Sequence, residues 1–356
     1  MAEIFCLKLE ICPIHKITNS KRITPLMKCA PQTLGAIITQ LTKGYAMLDA
    51  AISYCKTLYF CFLILITTLS HQAFAEGKAI YRGEVGSFVN DFIGDGRDRW
   101  HTGSYQKSYY SQGYQLGWVE GIELRSRSQI VSPWTPSKQK EGDRPYSTAI
   151  GVGGFAHGHL AGFETRFGGE VILLGDGTGL ETLQRTIHDG LGMGNSFDPS
   201  RGDIDHIDNG LTSRFDIEIA RTLRTSEFSM IRPYTEVTFG GDQYNTIGTD
   251  VIIGPLASAS IWTRDVVTGR LLTPQVNEIR GVSIVAGLDA RSARSSIHLP
   301  EEARVDIEPM QFRTRIGMQS SSSFANFFIG QARLSEAFVG QVDAQRVGML
   351  SISFSF

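Results

Sequence analysis

Val347-Gly348-Met349-Leu350-Ser351-Ile352-Ser353-Phe354-Ser355-Phe356 ends the chain. In an extended strand successive side chains point to opposite faces. This stretch therefore puts Leu350, Ile352, Phe354 and Phe356 on one face and Ser351, Ser353 and Ser355 on the other. The same two-residue period recurs upstream, in Phe215-Asp216-Ile217-Glu218-Ile219, Thr235-Glu236-Val237-Thr238-Phe239 and Met310-Gln311-Phe312-Arg313-Thr314-Arg315-Ile316. No long segment after residue 76 keeps a helical period. Alternating segments of about ten residues, separated by turn residues, are the pattern of a transmembrane barrel. Twelve fit, near 79–91, 103–115, 122–132, 146–156, 163–174, 211–223, 228–240, 250–263, 279–291, 305–318, 324–335 and 344–356. An open sheet edge in hydrocarbon would leave amides unpaired, so the sheet must close. The expectation is an all-β fold, a transmembrane antiparallel β-barrel of about twelve strands with one short helix in an extracellular loop. Gly151-Val152-Gly153-Gly154-Phe155 suits a curved wall.

A terminal Phe on an alternating last strand is common in outer-membrane barrels and unusual in soluble sandwiches. Composition narrows the field further. The chain has 356 residues, 42% hydrophobic and 20% charged, with net charge −2. Near-neutral charge gives no case for nucleic acid. The apolar content is too high for a disordered chain, and Gly follows no triplet repeat. Only TLYFCFLILITTL (57–69) approaches a membrane-spanning helix, and it is short for one. Lys56 precedes it and Ala73-Phe74-Ala75 follows, which reads as a secretory signal cleaved after Ala75. Met47 opens a signal of ordinary length. The domain reading is thus 1–46 a leader outside the true start, 47–75 the signal peptide and 76–356 the barrel. Cys6, Cys12, Cys29, Cys55 and Cys61 all precede the cleavage site, so the exported part has no thiol for a disulfide, a metal or a nucleophile.

If the first strand rises from the periplasm, the loops after strands one, three and five face outward: 92–102, 133–145 and 175–210. They hold most of the polar clusters. Asn90, Asp91, Asp95 and Asp98 offer oxygen ligands to a hard cation such as calcium, without EF-hand spacing. Asp143-Arg144-Pro145-Tyr146 reads as a turn lock at a strand entry. Thr178-x-x-Glu181 reads as a capping box opening a helix. On it Leu180, Leu183, Ile187 and Leu191 form an apolar stripe beside a polar stripe of Glu181, Gln184 and His188. Gly175-Asp176-Gly177 before that helix is rejected as a nucleotide loop, because no buried second strand follows. His188 is suited to taking a proton from water near neutrality. His157-x-His159 lies at the opposite end without partners. His101, His206 and His298 have no context beyond their loops, and Asp203-x-Asp205-x-x-Asp208 reads as solvated.

Taken in order, Asn90-Asp91, then Asp98, Arg99, Thr102 and Gly103 in DRWHTG, then DRPY at 143–146, then Gln184 and His188 in LQRTIH resemble the LpxR-type lipid A 3′-O-deacylases. The resemblance implies a calcium-dependent esterase in the Gram-negative outer membrane, acting on lipid A of lipopolysaccharide as a monomer. It implies a site between the outer barrel wall and a loop helix. Asn90, Asp91 and Thr102 fall in that site, Asn90 and Asp91 as candidate calcium ligands, and His188 is the general base. The chain departs from the family at His101, where a Tyr is usual, and the family's catalytic Glu has no clear match. Asp189 or Asp198 are candidates to replace it.

Three other readings stand beside this one. The first is a non-catalytic or differently specific barrel of the same family, structural or lipid-binding. The second is a phospholipase, which needs a Ser nucleophile beside a His; Ser296 and His298 are adjacent only in sequence. The third is a soluble all-β periplasmic protein.

Overall fold

The computed structural model describes residues 81–135, 139–190, 192, 204–276 and 279–356. The leader and signal peptide expected over 1–75 lie outside the described residues. The wall consists of β1 (Tyr81–Asn90), β2 (Trp100–Leu116), β3 (Val119–Ser132), β4 (Ser147–Leu160), β5 (Phe163–Leu174), β6 (Gly210–Ala220), β7 (Ser229–Gly240), β8 (Gln243–Ile253), β9 (Gly281–Ser295), β10 (Met310–Ser321), β11 (Ala325–Leu334) and β12 (Gln345–Ser355). Each strand pairs antiparallel with its neighbours, and β12 pairs with β1 from Gly83↔Ser355 to Asn90↔Gly348. The barrel is closed with twelve strands. A short strand, Leu223–Ser226, folds onto β7 as an extra edge. Phe356 comes within 5.9 Å of the Tyr109 ring, so the terminal aromatic packs across the closing seam.

Alternation sorts the side chains. Ile247, Leu288, Ile316 and Ile329 on β8 to β11 are more than half exposed and form part of an outward apolar band. The opposite parity turns inward and is polar. Arg125, Glu170, Glu218, Asp250, Asp289 and Arg315 are all buried in the lumen. They pair with one another: Arg313 and Arg315 with Asp289, and Arg315 with Asp250. No described helix is long and apolar enough to cross a membrane.

The two ends of the barrel differ. At one end two-residue turns join β2 to β3 and β4 to β5. The second of these uses Ala161 and Gly162 at φ 51° and 81°, the twist a tight hairpin needs. The other end carries the loops 91–99, 133–146, 175–209, 296–309 and 335–344. One segment breaks the pattern. The expected eighth strand, 250–263, is found at 243–253, because the apolar run after Ile253 does not continue the wall. Gly254 and Pro255 turn it, at the short-turn end, into the lumen. Every residue from 261 to 274 except Val266 is buried, and Thr263–Arg264 pair with Leu271–Leu272 as a small hairpin. Leu256, Trp262, Val267 and Leu271 pack against Val89, Val285, Phe328 and Met349. Arg264 reaches Glu218 and Asp250 at 3.0 Å each, and Ser87 bonds Asp265 at 3.0 Å. This hairpin is a plug, and its hydrophobicity serves the lumen rather than the lipid face.

Candidate active site on the outer barrel wall

β1 ends at Asn90, and register places its side chain. Val85, Ser87 and Val89 face the lumen, so Glu84, Gly86, Phe88 and Asn90 face outward. The chain then turns into α1 (Asp91–Asp95). The Asn90 side chain caps this helix, accepting from the Ile93 amide at 3.3 Å, and its own amide donates to the Thr102 carbonyl at 2.5 Å. Asp91 is fully buried. Its two oxygens accept from the amides of Phe92 (2.8 Å) and Arg99 (2.5 Å), which ties both ends of the loop together. Burial pushes its carboxyl up to about 9; the two amides pull against this, and the Asp98 and Asp95 charges add to it.

Thr102 reaches the outer face through a bulge. Trp100 pairs with Ser132 and Gly103 with Ile130, so His101 and Thr102 together oppose the single residue Val131. A bulge of this kind re-aims side chains. His101 turns toward the lumen, and the Thr102 hydroxyl meets the Ser132 hydroxyl at 2.8 Å. Trp100 enters the bulge at φ 55°, a left-handed conformation that costs a non-glycine residue about 1–2 kcal/mol. The Arg99 guanidinium lies 4.3 Å from the Trp100 ring and 4.2 Å from the Trp134 ring, a stack that holds the strained turn.

Opposite stands α2 (Leu180–Gly190), the helix of the third long loop. Its orientation reverses a simple amphipathic reading. Gln184 and His188, on the polar stripe, are buried, whereas Leu183 and Ile187, on the apolar stripe, are about 40% exposed. The polar stripe docks on polar partners: Gln184 accepts from the Tyr146 hydroxyl at 2.8 Å, and His188 Nε2 lies 3.2 Å from Asp98 Oδ2. Asp98 also bonds the Thr102 hydroxyl. Burial pushes the Asp98 carboxyl up, and the His188 and Thr102 contacts pull it back. Asp98 thus links three residues expected together, Thr102 and His188 directly and Asn90 through Thr102. In the sequence Asp98 reads only as one oxygen donor among several, and the contact to His188, 90 residues away, sets it beside the imidazole. Asp189, an expected substitute for the missing Glu, is exposed, and Asp198 lies outside the described residues.

The expected capping box does not form. Thr178 lies before the helix, its hydroxyl accepting from the Leu180 amide at 3.3 Å. Glu181 bonds Arg185 at 2.7 Å instead of turning back. Its other oxygen lies 3.7 Å from His206 Nδ1, and Asp176 Oδ1 lies 3.5 Å from the same nitrogen. Among the described residues these three form the group with metal-ligand spacing. It mixes nitrogen and oxygen donors, whereas calcium takes oxygens. Asp91 and Asn90 fit the harder ion better. Asp91 is a buried carboxyl held by two amides, and among the described residues no basic side chain forms an ion pair with it, so a cation would offset its desolvation.

The remaining sequence candidates have structural partners. His157 pairs with Glu123 at 2.8 Å and His159 with Glu120 at 3.0 Å. Asp143 accepts from the Trp134 amide at 2.6 Å and locks its turn. Ser296 bonds the His298 amide, and the His298 ring meets Ser147 inside the lumen, away from any lipid. Asp205 and Asp208 are exposed, and Asp203 lies outside the described residues.

No family model matches the chain, and no curated relative does. Among solved structures, LpxR from Salmonella typhimurium superposes with a TM-score of 0.62 at 18% identity, covering 77% of this chain and all of that one. The barrel is LpxR-like in fold. An outer membrane channel from Pseudomonas putida F1 is much more distant, with a TM-score of 0.41 and 10% identity over 79% of this chain and 97% of that one. The likeness is one of fold, at 18% sequence identity.

Proposed function

We propose that this protein is an outer-membrane ester hydrolase that removes the 3′-linked acyloxyacyl chain of lipid A, with the long-loop end facing the cell exterior. The observation that carries the reading is the buried His188–Asp98 pair, held between a loop helix and the outer face of the wall at the rim. Lipid substrates arrive at that level and from that side. Asp98 accepts the Nε2 proton of His188 and fixes the ring, which makes Nδ1 the basic nitrogen. His188 takes a proton from water, and the water oxygen attacks the ester carbonyl. When the tetrahedral intermediate collapses, the C–O bond to the sugar breaks, and the sugar oxygen takes the proton back from His188. The fatty acid leaves and the sugar keeps its hydroxyl. Calcium, held by Asp91 and Asn90, would supply polarisation of the ester carbonyl. Asn90 and Thr102 hold the loop that carries Asp98 in register with the wall. Leu183 and Ile187 present an apolar edge to acyl chains.

The test is hydrolysis of purified lipid A by the barrel in detergent, read by mass spectrometry. Loss of the 3′-acyloxyacyl mass with calcium, and none with a chelator or with His188→Gln, is expected. Unchanged lipid A from a folded wild-type barrel would instead favour the lipid-binding barrel without activity.

A further inference from the structure

The inner side of the same rim holds a second group of residues that the hydrolase does not use. A cavity of about 40 Å³ lies in the lumen beneath the long loops, among Arg144, Arg214, Arg291, His101, His298 and Asp242. Its charges do not balance. Asp242 is committed to Arg214 at 3.5 Å and to the Ile297 amide at 3.0 Å, and Arg214 also pairs with Asp216. Among the described residues no carboxylate forms an ion pair with Arg144 or Arg291. Arg291 bonds the neutral Gln311 and lies over the Tyr244 ring at 4.5 Å. Arg144 is 2% exposed and His298 is 6% exposed; Arg144 Nη2 donates to the His298 carbonyl at 3.4 Å, yet Arg144 Nε and His298 Nε2 have no partner among the described residues. Asp143, the adjacent carboxylate, turns its oxygens to the backbone amides of Trp134 and Arg144 rather than to the guanidinium, and a buried guanidinium without a paired charge is costly.

The donors also have a consistent sense. Burial and the nearby Arg144 push His298 well below its ordinary range, so its ring is neutral. Its Nδ1 lies 2.8 Å from the Ser147 hydroxyl; with Ser147 donating, Nε2 carries the proton. Arg144 Nε–H and His298 Nε2–H are then two donors with nothing to receive them. One buried water needs about 10–15 Å³, so the cavity has room for a halide or a few waters and not for a sugar phosphate.

We propose that this cavity binds one small inorganic anion of halide size, held by Arg144 and His298 with Arg291 as the further positive charge. Chloride is the physiological candidate. The anion would pin the entry to β4 to the loop after β9. Ser147, bonded to His298, is the neighbour of Tyr146, which bonds the helix carrying His188. The proposal does not depend on the hydrolase reading, because its readouts are structure and stability.

The test uses the whole barrel purified from membranes in detergent. Crystals grown in sodium bromide are expected to show an anomalous peak between Arg144 and His298. Thermal unfolding is expected to rise saturably with chloride or bromide against gluconate at equal ionic strength. Arg144→Gln should weaken halide binding at least tenfold. If that variant does not fold, Arg291→Gln should lower the bromide occupancy. No anomalous peak at this position in the wild type, with only water density there, overturns the proposal. Equal melting in halide and gluconate overturns it as well.

Discussion

Replacing Asp98 with Asn keeps the side-chain shape and removes the charge that faces His188. General-base catalysis contributes about 10²–10⁴-fold. Asp98→Asn should therefore lower kcat by at least about 10²-fold with little change in KM, measured on lipid A. The barrel should still resist unfolding in an unheated gel. A role confined to loop stability would move KM and folding as well. Trp100 makes a second residue-scale prediction. Trp100→Ala removes the Arg99 stack and a buried ring, and should cost about 3–5 kcal/mol in urea unfolding. The order of Asn90, Asp91, Thr102 and His188 along the chain carries the resemblance, so their grouping could be expected from sequence. The pairing of Asp98 with His188 could not. That pairing is set by a bulge at residues 100–103 and by a helix docked from another loop, and neither leaves a local pattern at Asp98.

Elements explain why the rest was harder to read. Alternation predicts strands well where one face meets lipid and the other the polar lumen. It fails at 254–263, where apolar residues pack inside the plug. Helical periodicity located α2 correctly but did not settle which stripe docks. Gln184 and His188 are buried together with Leu180, because the wall offers Tyr146 and Asp98. α1 depends on a close approach: a Cβ at Gly348 would lie 2.4 Å from Ile93, so glycine there lets the helix lie on β12. Gly348→Val should displace α1 at a cost of about 1–3 kcal/mol and reduce hydrolysis while the barrel still closes. Paired heat-modifiability and activity assays check this. Leu183→Ser with Ile187→Ser should raise KM for lipid A in vesicles and leave the melting temperature unchanged.

Across the whole molecule, closure and occlusion make the decisive contrast. Twelve strands leave a lumen, and the 254–276 segment fills it through Arg264, Asp265 and the apolar cluster around Leu271. The barrel should therefore conduct no steady ion current in planar bilayers, and a stable open-channel conductance would contradict the plug. On the proposed reading the working surface is the outer wall at the rim. The number and sense of the strands were legible because closure in hydrocarbon is a physical requirement. The plug was not, since it is a turn at the end where barrels keep turns short. The central claim, that this wall hydrolyses lipid A through His188, is tested most directly by the mass spectrum of lipid A from a Gram-negative host expressing residues 47–356, beside a His188→Ala control. The account predicts loss of the 3′-acyloxyacyl mass in the first and intact lipid A in the control. Intact lipid A in both, from barrels shown to be folded in the outer membrane, would contradict it.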